Sequence, residues 1–214
     1  MNLQVYAIFS SIQGESTRSG LPTTFIRLAG CPLHCSYCDT RLACEATGDS
    51  MTVDDVVAKV TEHGRRLVEV TGGEPLAQKS AFPLMTALAD KGFDVMLETS
   101  GAFSIAEVDP RVRVIMDVKT PGSAMLDRMD MGNLDLLDGN RHELKFVITS
   151  RDDFDWAAVL IRTRKLAGTC ELLFSPASGR LEGEELAQWI LDANLPVRLQ
   201  LQVHKILWPG EENK

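Results

Sequence analysis

Three of the five cysteines stand close together, at Cys31, Cys35 and Cys38 in the segment CPLHCSYCDT. This C-x3-C-x2-C spacing lets one loop, called the cysteine loop below (residues 31–38), wrap three corners of an iron–sulfur cubane. Three thiolates leave one iron without a protein ligand, and that iron is free to chelate the amino and carboxylate groups of a small molecule. The loop therefore predicts a 4Fe–4S cluster that binds a ligand directly.

A structural zinc site is the alternative, because His34, Asp39 or Cys44 offers the fourth ligand that tetrahedral zinc requires. A ferredoxin-like electron carrier fits less well, since no fourth cysteine lies at a spacing suited to complete the ligation, and Cys170 is expected in a strand core. The rest of the chain favours the cluster over zinc. A small zinc knuckle needs no glycine-rich turn and no large α/β body behind it.

The segment TGGEP at residues 71–75 follows a predicted strand. Gly72 and Gly73 would let the backbone approach a ligand without a Cβ in the way, and Glu74 would offer a carboxylate to a cationic amino group. The alternative is a plain strand-to-helix turn, with Pro75 opening the next segment. The turn is specific only in combination with the cysteine loop.

These motifs are set in an alternation of strands and helices. Apolar and β-branched runs predict strands at 23–28, 67–70, 93–97, 112–118, 143–148, 171–174 and 197–203. Helical patterns lie at 52–63, 80–91, 151–166 and 181–193. Thr52 and Asp55 predict a capping arrangement, and Gly92 a helix end. The connections at 99–111 and 119–141 are too irregular for long helices.

Strands that alternate with helices imply right-handed crossovers and a parallel sheet. Polar clusters follow the strands: TGGEP, ETSG from 98, DVKTP from 117, SPAS from 175 and VHK from 203. In such folds the ligand site lies at the carboxyl ends of the strands. We therefore expect an α/β fold whose parallel sheet is either open or curled toward an incomplete barrel, with its site at that edge.

Composition limits the class of protein. The chain of 214 residues, 44% apolar and 24% charged, suits one soluble catalytic domain over residues 1–214. Its formal charge of -8 disfavours a nucleic-acid partner and favours a small-molecule substrate. We expect no membrane span and a cytoplasmic location, where the cysteines stay reduced as ligands.

The cysteine loop, with Tyr37 before its third cysteine, resembles the signature loop of the radical S-adenosylmethionine superfamily, and TGGEP resembles its second hallmark. A closer resemblance runs over essentially the whole chain. IQGE at 12–15, FIRLAGC at 25–31, CDT at 38–40, ETSG at 98–101, SPASGRLE at 175–182 and LQVHKILW at 201–208 are similar to the 7-carboxy-7-deazaguanine synthase family.

The resemblance implies a truncated TIM-like β/α barrel with parallel strands and a lyase activity. Members convert 6-carboxy-5,6,7,8-tetrahydropterin into 7-carboxy-7-deazaguanine with loss of ammonia, on the route to queuosine and other 7-deazapurines. The implied cofactors are a 4Fe–4S cluster, S-adenosylmethionine and Mg²⁺. The implied partners are the pterin substrate, an electron donor such as flavodoxin or ferredoxin, and a second copy in a homodimer.

The resemblance also implies residue roles. The substrate pocket would contain Ile12, Gln13, Gly14, Glu15, Arg27, Thr71 and His204. S-adenosylmethionine would contact Tyr37, Cys38, Asp39, Gly73, Ser100, Asp117, Val118, Lys119, Ser175, Pro176, Ala177 and Ser178. The metal ligands would be Cys31, Cys35 and Cys38 for the cluster and Thr40 for Mg²⁺. No further catalytic side chain is implied beyond the cluster and the cofactor radical.

Several of these residues have plainer interpretations. IQGE also suits a surface turn, Arg27 in an apolar strand also suits a buried ion pair, and a single histidine such as His204 is often structural. DVK at 117–119 and SPAS at 175–178 depart from the Ser-Pro-Lys and Gln-Pro of many members, so the side-chain roles of Asp117 and Ser175 do not carry over directly. The role of PGEENK at 209–214 is not assigned.

Two other functions remain open at this point. A glycyl-radical-enzyme activase shares the cluster loop and the small size, but it must accept a protein loop as substrate. A zinc-stabilised binding module without catalysis belongs to a different class. IQGE, Arg27 and His204 favour an enclosed polar pocket for a small molecule over both.

Overall fold

The structure is a computed structural model that describes residues 2–211, so the last three residues of PGEENK lie outside the described part. Nine strands form one sheet in the order β3-β1-β2-β4-β5-β6-β7-β8-β9. The strands are β1 Asn2–Ile12, β2 Pro22–Leu28, β3 Asp49–Thr52, β4 Leu67–Gly72, β5 Asp94–Thr99, β6 Arg113–Val118, β7 His142–Ile148, β8 Glu171–Pro176 and β9 Arg198–Leu199.

The run from β2 through β4 to β9 is parallel, whereas β1 pairs antiparallel with both β2 and β3 at one edge. The helices are α1 Arg41–Glu45, α2 Val53–His63, α3 Ala81–Asp90, α4 Arg151–Thr163, α5 Gly183–Ala193 and α6 Val203–Leu207. This arrangement confirms the predicted α/β class with parallel strands.

Local signals in the sequence account for most of these elements. The Thr52 hydroxyl accepts a hydrogen bond from the Asp55 amide, and the Asp55 carboxylate accepts one from the Thr52 amide, which forms the predicted capping box of α2. Gly92, just past α3, has a φ of +84°, a conformation that glycine adopts without strain. As expected, the connection after β6 contains only short 3-10 helices.

The structure differs from three expectations. The strands β1 and β3 were not predicted; β3 is a short, mostly polar strand at the sheet edge, and β1 lies between it and β2. The predicted strand 197–203 is reduced to the two residues of β9. The chain leaves the sheet because the Val203 amide donates to the carbonyl of Gly14, 3.0 Å away, and α6 begins there. Cys170, expected within a strand, directly precedes β8 and is half-buried.

The sheet has two different faces. Its convex face packs on the helices in a core that includes Val56, Leu88 and Phe154. Leu67, Met96 and Ile115 form a separate apolar cluster made only of strand residues, and Ile115 also lines a cavity. This small cluster therefore lies on the concave face and closes the bottom of that cavity.

Candidate active site

A cavity of about 1390 Å³, counted out to its open mouth, occupies the concave face at the carboxyl ends of the parallel strands. Every predicted site residue except Val118 lines it. The Val118 side chain is fully buried in the core on the helix side, because alternate residues of a strand point to opposite faces. The strands thus bring motifs from the whole length of the chain into one chamber.

The cysteine loop forms one wall of this chamber. Helix α1 follows the loop and is tied back to its start, because the amides of Gly30 and Cys31 donate to the carbonyls of Ala43 and Cys44 at 2.8 and 3.2 Å. As a result the Sγ atoms of Cys44 and Cys38 are 3.7 Å apart. Cys44 is six residues from Cys38 in the sequence, and helix α1 brings the two thiols together.

Hydrogen bonding from Cys44 is the largest influence on its two neighbours. It lowers the pKa of Cys38 to about 6 and that of Cys31 to about 7, against the opposing effect of burial. Burial raises the pKa of Cys35. Two of the three motif cysteines therefore favour the thiolate, which is the form that ligates iron.

The two glycines of TGGEP serve packing between strands. A Cβ on Gly73 would lie 1.9 Å from the carbonyl oxygen of Gly30, and one on Gly72 would lie 2.2 Å from that of Leu28. These glycines thus allow a close approach to the backbone that leads into the cysteine loop. Both also line the cavity, and their approach to a ligand stays a prediction. The Gly73 and Glu74 amides donate to the Leu28 and Gly30 carbonyls, both at 2.9 Å.

Glu74 does not offer a free carboxylate, contrary to expectation. It is fully buried, and its Oε1 accepts hydrogen bonds from the Leu76 amide at 2.9 Å and the Thr99 hydroxyl at 2.8 Å. Its Oε2 accepts from both the amide and the hydroxyl of Ser100, at 2.6 and 2.5 Å. Four donors occupy this carboxylate, which therefore joins the end of β4 to the end of β5.

The IQGE segment does not form a simple surface turn. Beyond it, the Thr17 amide and hydroxyl donate to Glu143 of β7 at 2.9 and 2.5 Å, so the β1–β2 turn crosses the concave face. Gly14 lies under the His204 ring, and a Cβ there would fall 2.0 Å from Nδ1. His204 lines the cavity as predicted, but from helix α6 and not from a strand.

A set of buried and partly buried charges, of which only Glu15 was predicted as a site residue, lies at the base of the chamber. We call Glu15, Glu69, Glu98 and Lys145 the charged floor. Lys145 Nζ donates to Glu15 Oε2 at 2.6 Å and also to Glu98 Oε1, while Glu98 Oε2 accepts from the Thr71 hydroxyl at 3.2 Å. Burial disfavours the Lys145 ammonium, but the two carboxylates outweigh burial and raise its pKa well above the ordinary value.

Glu69 has a different environment from the other floor residues. Its described hydrogen bond comes from Gln13, whose Nε2 donates to Oε2. Burial, and after it the neighbouring Glu98 charge, raise the pKa of Glu69 to about 8. For Glu98 itself, Lys145 overcomes burial and lowers the pKa. The floor thus sets Glu69, whose pKa is raised, beside Glu98, whose pKa is lowered.

The mouth of the chamber contains an ion pair between a loop residue and helix α6. Lys205 Nζ donates to Asp39 Oδ2 at 2.7 Å, and Gln202 Nε2 donates both to that oxygen at 3.1 Å and to Glu15 at 2.5 Å. Burial alone would raise the pKa of Asp39, but Lys205 and these hydrogen bonds lower it to about 2. Arg27, also in the chamber, stacks over the Phe9 ring at 5.5 Å.

Comparisons with known proteins place this chain in a family. Residues 25–135 match the model of the radical SAM superfamily. A 7-carboxy-7-deazaguanine synthase from Chlorobaculum tepidum is 44% identical, over 96% of this chain and 94% of its own. One from Koribacter versatilis is 37% identical over 98% of both chains. The solved structure of QueE from Escherichia coli matches with a TM-score of 0.77 and 25% identity, over 95% of each chain.

The chain belongs to the 7-carboxy-7-deazaguanine synthase family of the radical SAM superfamily. Membership confirms the predicted family and partial-barrel fold, and implies a 4Fe–4S cluster and S-adenosylmethionine as cofactors. The glycyl-radical-enzyme activase and the zinc-stabilised module are not favoured. No helix in residues 2–211 is long and apolar enough to cross a membrane.

The site of this radical SAM family member suits those cofactors in a second respect. Lys119 Nζ donates to Asp117 Oδ2 at 2.6 Å and lies 5.7 Å from the centre of the Tyr37 ring. Among the described residues, neither Asp117 Oδ1 nor the Tyr37 hydroxyl has a hydrogen-bond partner, although both are buried. Buried polar atoms without partners beside the cysteine loop fit a polar ligand there.

Proposed function

We propose that this chain converts 6-carboxy-5,6,7,8-tetrahydropterin into 7-carboxy-7-deazaguanine with loss of ammonia, as a lyase in queuosine and other 7-deazapurine biosynthesis. The supporting observation is that one chamber joins the cysteine loop to a polar pocket built from the β1–β2 turn, the strand ends and helix α6. A concave chamber with a few convergent polar groups suits a bicyclic small molecule.

Cys31, Cys35 and Cys38 hold the 4Fe–4S cluster in this proposal. When bound, the reduced cluster and S-adenosylmethionine supply one-electron cleavage of the sulfonium to a 5′-deoxyadenosyl radical. The protein positions the reacting partners and keeps water out, which fixes the near-attack geometry that hydrogen-atom transfer needs. Cys44, adjacent to Cys38, is not assigned as a ligand.

The remaining cofactor contacts come from strand ends around the chamber. Tyr37, Asp39, Gly73 and Ser100 lie beside the cysteine loop or on the segments tied to it. Val118 can take part only through its backbone, because its side chain is in the core. The further proposed contacts on the β6 and β8 sides are Asp117, Lys119, Ser175, Pro176, Ala177 and Ser178.

The proposed substrate contacts occupy the opposite side. Arg27 pairs with the substrate carboxylate, a role suited to a planar guanidinium. Gln13 and Glu15 face the hydrogen-bonding edge of the pterin ring, each already oriented by a protein partner. Completing this side of the pocket are Ile12, Gly14, Thr71 and His204.

Thr40 is the proposed protein ligand of Mg²⁺. It stands at the N-cap position of α1, but its hydroxyl does not cap the helix. A hydroxyl combined with substrate oxygens and water suits Mg²⁺, which keeps several non-protein ligands. The ion would hold the substrate carboxylate beside the departing amino group.

Three broader features complete the proposal. Residues 1–214 form one catalytic domain, an electron donor such as flavodoxin or ferredoxin reduces the cluster, and the enzyme works in the cytoplasm as a homodimer. The net charge of -8 suits a small-molecule enzyme without a nucleic-acid partner.

Anaerobic turnover tests the proposal directly. The purified, cluster-loaded enzyme is given the carboxylated tetrahydropterin, S-adenosylmethionine, a reductant and Mg²⁺, and we expect 7-carboxy-7-deazaguanine and ammonia. Metal analysis accompanies the assay, with about four irons per chain expected. An intact cluster that cleaves S-adenosylmethionine but yields no deazaguanine would contradict the substrate assignment and leave the superfamily assignment in place.

A further inference from the structure

Glu69 occupies an unusual position for a carboxyl group. It lies on the concave face of β4, two residues before Thr71, and its residue is 4% exposed. The apolar cluster of Leu67, Met96 and Ile115 closes the chamber on the same face, and Glu69 lines the chamber itself. An ionised carboxylate here would be costly unless a cation or several donors compensated it.

The available cation is already occupied. Lys145 of β7 is bonded to Glu15 from the β1–β2 turn and to Glu98 of β5. Arg27 of β2 also lines the chamber, but Lys145 is the cation among the main influences on the pKa of Glu69. Ionising Glu69 would place a third carboxylate around one ammonium group, and burial together with Glu98 accordingly raises its pKa to about 8.

Hydrogen bonding determines which oxygen of Glu69 holds the proton. The amide of Glu15 donates to Gln13 Oε1 at 3.1 Å, so the Gln13 side chain must turn its Nε2 toward Glu69. That Nε2 donates to Glu69 Oε2, which is therefore an acceptor. A proton on the neutral acid then resides on Oε1.

We propose that Glu69 works as a neutral carboxylic acid whose Oε1–H donates a hydrogen bond to an acceptor on the substrate ring, and so selects which ring edge binds. This inference rests on the proposed function, since a pterin-type ring presents carbonyl and ring-nitrogen acceptors. Together with the second hydrogen of Gln13 Nε2, it gives the pocket two adjacent donors. Ionised Glu69 would instead repel the same acceptor.

The test is ligand binding as a function of pH. The probe is the product 7-carboxy-7-deazaguanine, titrated calorimetrically into anaerobic enzyme loaded with cluster and S-adenosylmethionine. Wild type should lose affinity about tenfold per pH unit above the Glu69 pKa, because the competent fraction falls by that factor. E69Q keeps a donor but does not titrate, so it should lack this decline. E69L, which removes the donor, should bind weakly at every pH.

Glu143→Gln is the matched control. Glu143 is a buried carboxylate of the same barrel, but it accepts two hydrogen bonds from Thr17 and does not line the chamber. E143Q should therefore retain the pH dependence of wild type. Parallel pH profiles for wild type and E69Q would overturn the proposal, as would loss of binding by E69Q at pH 6.5, since that would require an ionised carboxylate.

Infrared difference spectroscopy tests the protonation without a ligand. The wild-type minus E69Q spectrum at pH 7 should contain the carbonyl stretch of a protonated carboxylic acid, and this band should vanish at high pH. Its absence at pH 7 overturns the proposal whether or not the enzyme makes deazaguanine. If the band is present but wild type fails to bind the product at any pH, the assigned ring acceptor is wrong and so is the proposed substrate.

Discussion

The cysteine loop and the charged floor bound the same chamber, yet they are built in opposite ways. The loop gathers its thiols from eight consecutive residues and is held by backbone hydrogen bonds to α1 and β4. The floor takes one side chain each from the β1–β2 turn, β4, β5 and β7. Local geometry therefore sets the first, and strand register sets the second. Mutation of a loop cysteine should therefore remove the cluster, whereas mutation of a floor residue should destabilise the whole barrel.

Loss of a loop thiol should give the largest effect. C38A, like C31A or C35A, should lose the cluster and all S-adenosylmethionine cleavage while folding stability changes little, because the lost interaction is with the cofactor. Iron content, the visible spectrum and thermal unfolding of the apoprotein measure these outcomes. C44A is the matched control and should keep the cluster. Loss of the cluster in C44A would instead add Cys44 to the ligand set.

Breaking the charged floor should affect stability first. Lys145→Met leaves Glu15 and Glu98 without their cation. Because their side chains are 12% and 30% exposed, we expect a loss of about 3 kcal/mol, the lower end of the cost of breaking a buried ion pair. Denaturant unfolding of the apoprotein measures this loss. Lys205→Met removes a more exposed partner, that of Asp39, and should cost about 1 kcal/mol or less. Equal losses in the two variants would contradict the distinction between floor and mouth.

Glu74 belongs to the TGGEP motif, but its replacement should reduce folding stability, as replacement of a floor residue does. Glu74→Ala leaves the buried donors of Leu76, Thr99 and Ser100 unsatisfied, and each such group costs about 1–3 kcal/mol. We expect about 2–3 kcal/mol of lost stability after partial relaxation, together with weaker S-adenosylmethionine binding because the ETSG segment shifts. Unchanged unfolding with impaired cofactor binding would restore Glu74 as a ligand contact.

Local signals in the sequence predicted the fold more completely than the site. The residues that form the α2 capping box lie within a few positions of one another, and so do the residues of each apolar run in β2 and β4 to β8. Spacing alone therefore predicts these elements. His204 was predicted at the polar end of the last strand, because no nearby residue indicates that the Val203 amide instead donates to the carbonyl of Gly14, far away in sequence. The same distance problem gave Glu74 a role toward the ligand, since three of its four donors belong to Thr99 and Ser100 at the end of β5.

The floor itself left a signal in the sequence. Glu69, Glu98 and Lys145 each interrupt an apolar strand, as Arg27 does, and a charge in such a place requires a partner. Which partner it has depends on how strands align across the barrel, and composition does not reveal that alignment. The sequence also does not predict the neutral state of Glu69, because that state depends on how many carboxylates share one lysine in the folded structure.

Counted per pH unit, the smallest expected effect is the change of stability with pH at Glu69. Its pKa in the folded protein, about 8, exceeds the value in the unfolded chain, so protonation stabilises the fold. That contribution is complete below the unfolded pKa and is lost as pH rises toward and through about 8. The free energy of unfolding should fall by at most about 1.4 kcal/mol per pH unit in that range. Urea unfolding of E69Q apoprotein should show a shallower decline; identical slopes would contradict the assignment.

The crossing of the β1–β2 turn onto β7 has a consequence for how the molecule matures. Thr17 meets Glu143 and Glu15 meets Lys145 across 126 and 130 residues of sequence. Contacts that close such long loops form late in folding, because the chain loses loop-closure entropy before the contacts stabilise it. A nascent chain that has completed the cysteine loop still lacks its substrate pocket, and must await the synthesis of β7. The cysteine loop can thus be ready for its cluster before the chamber that shields the cluster from oxygen has formed.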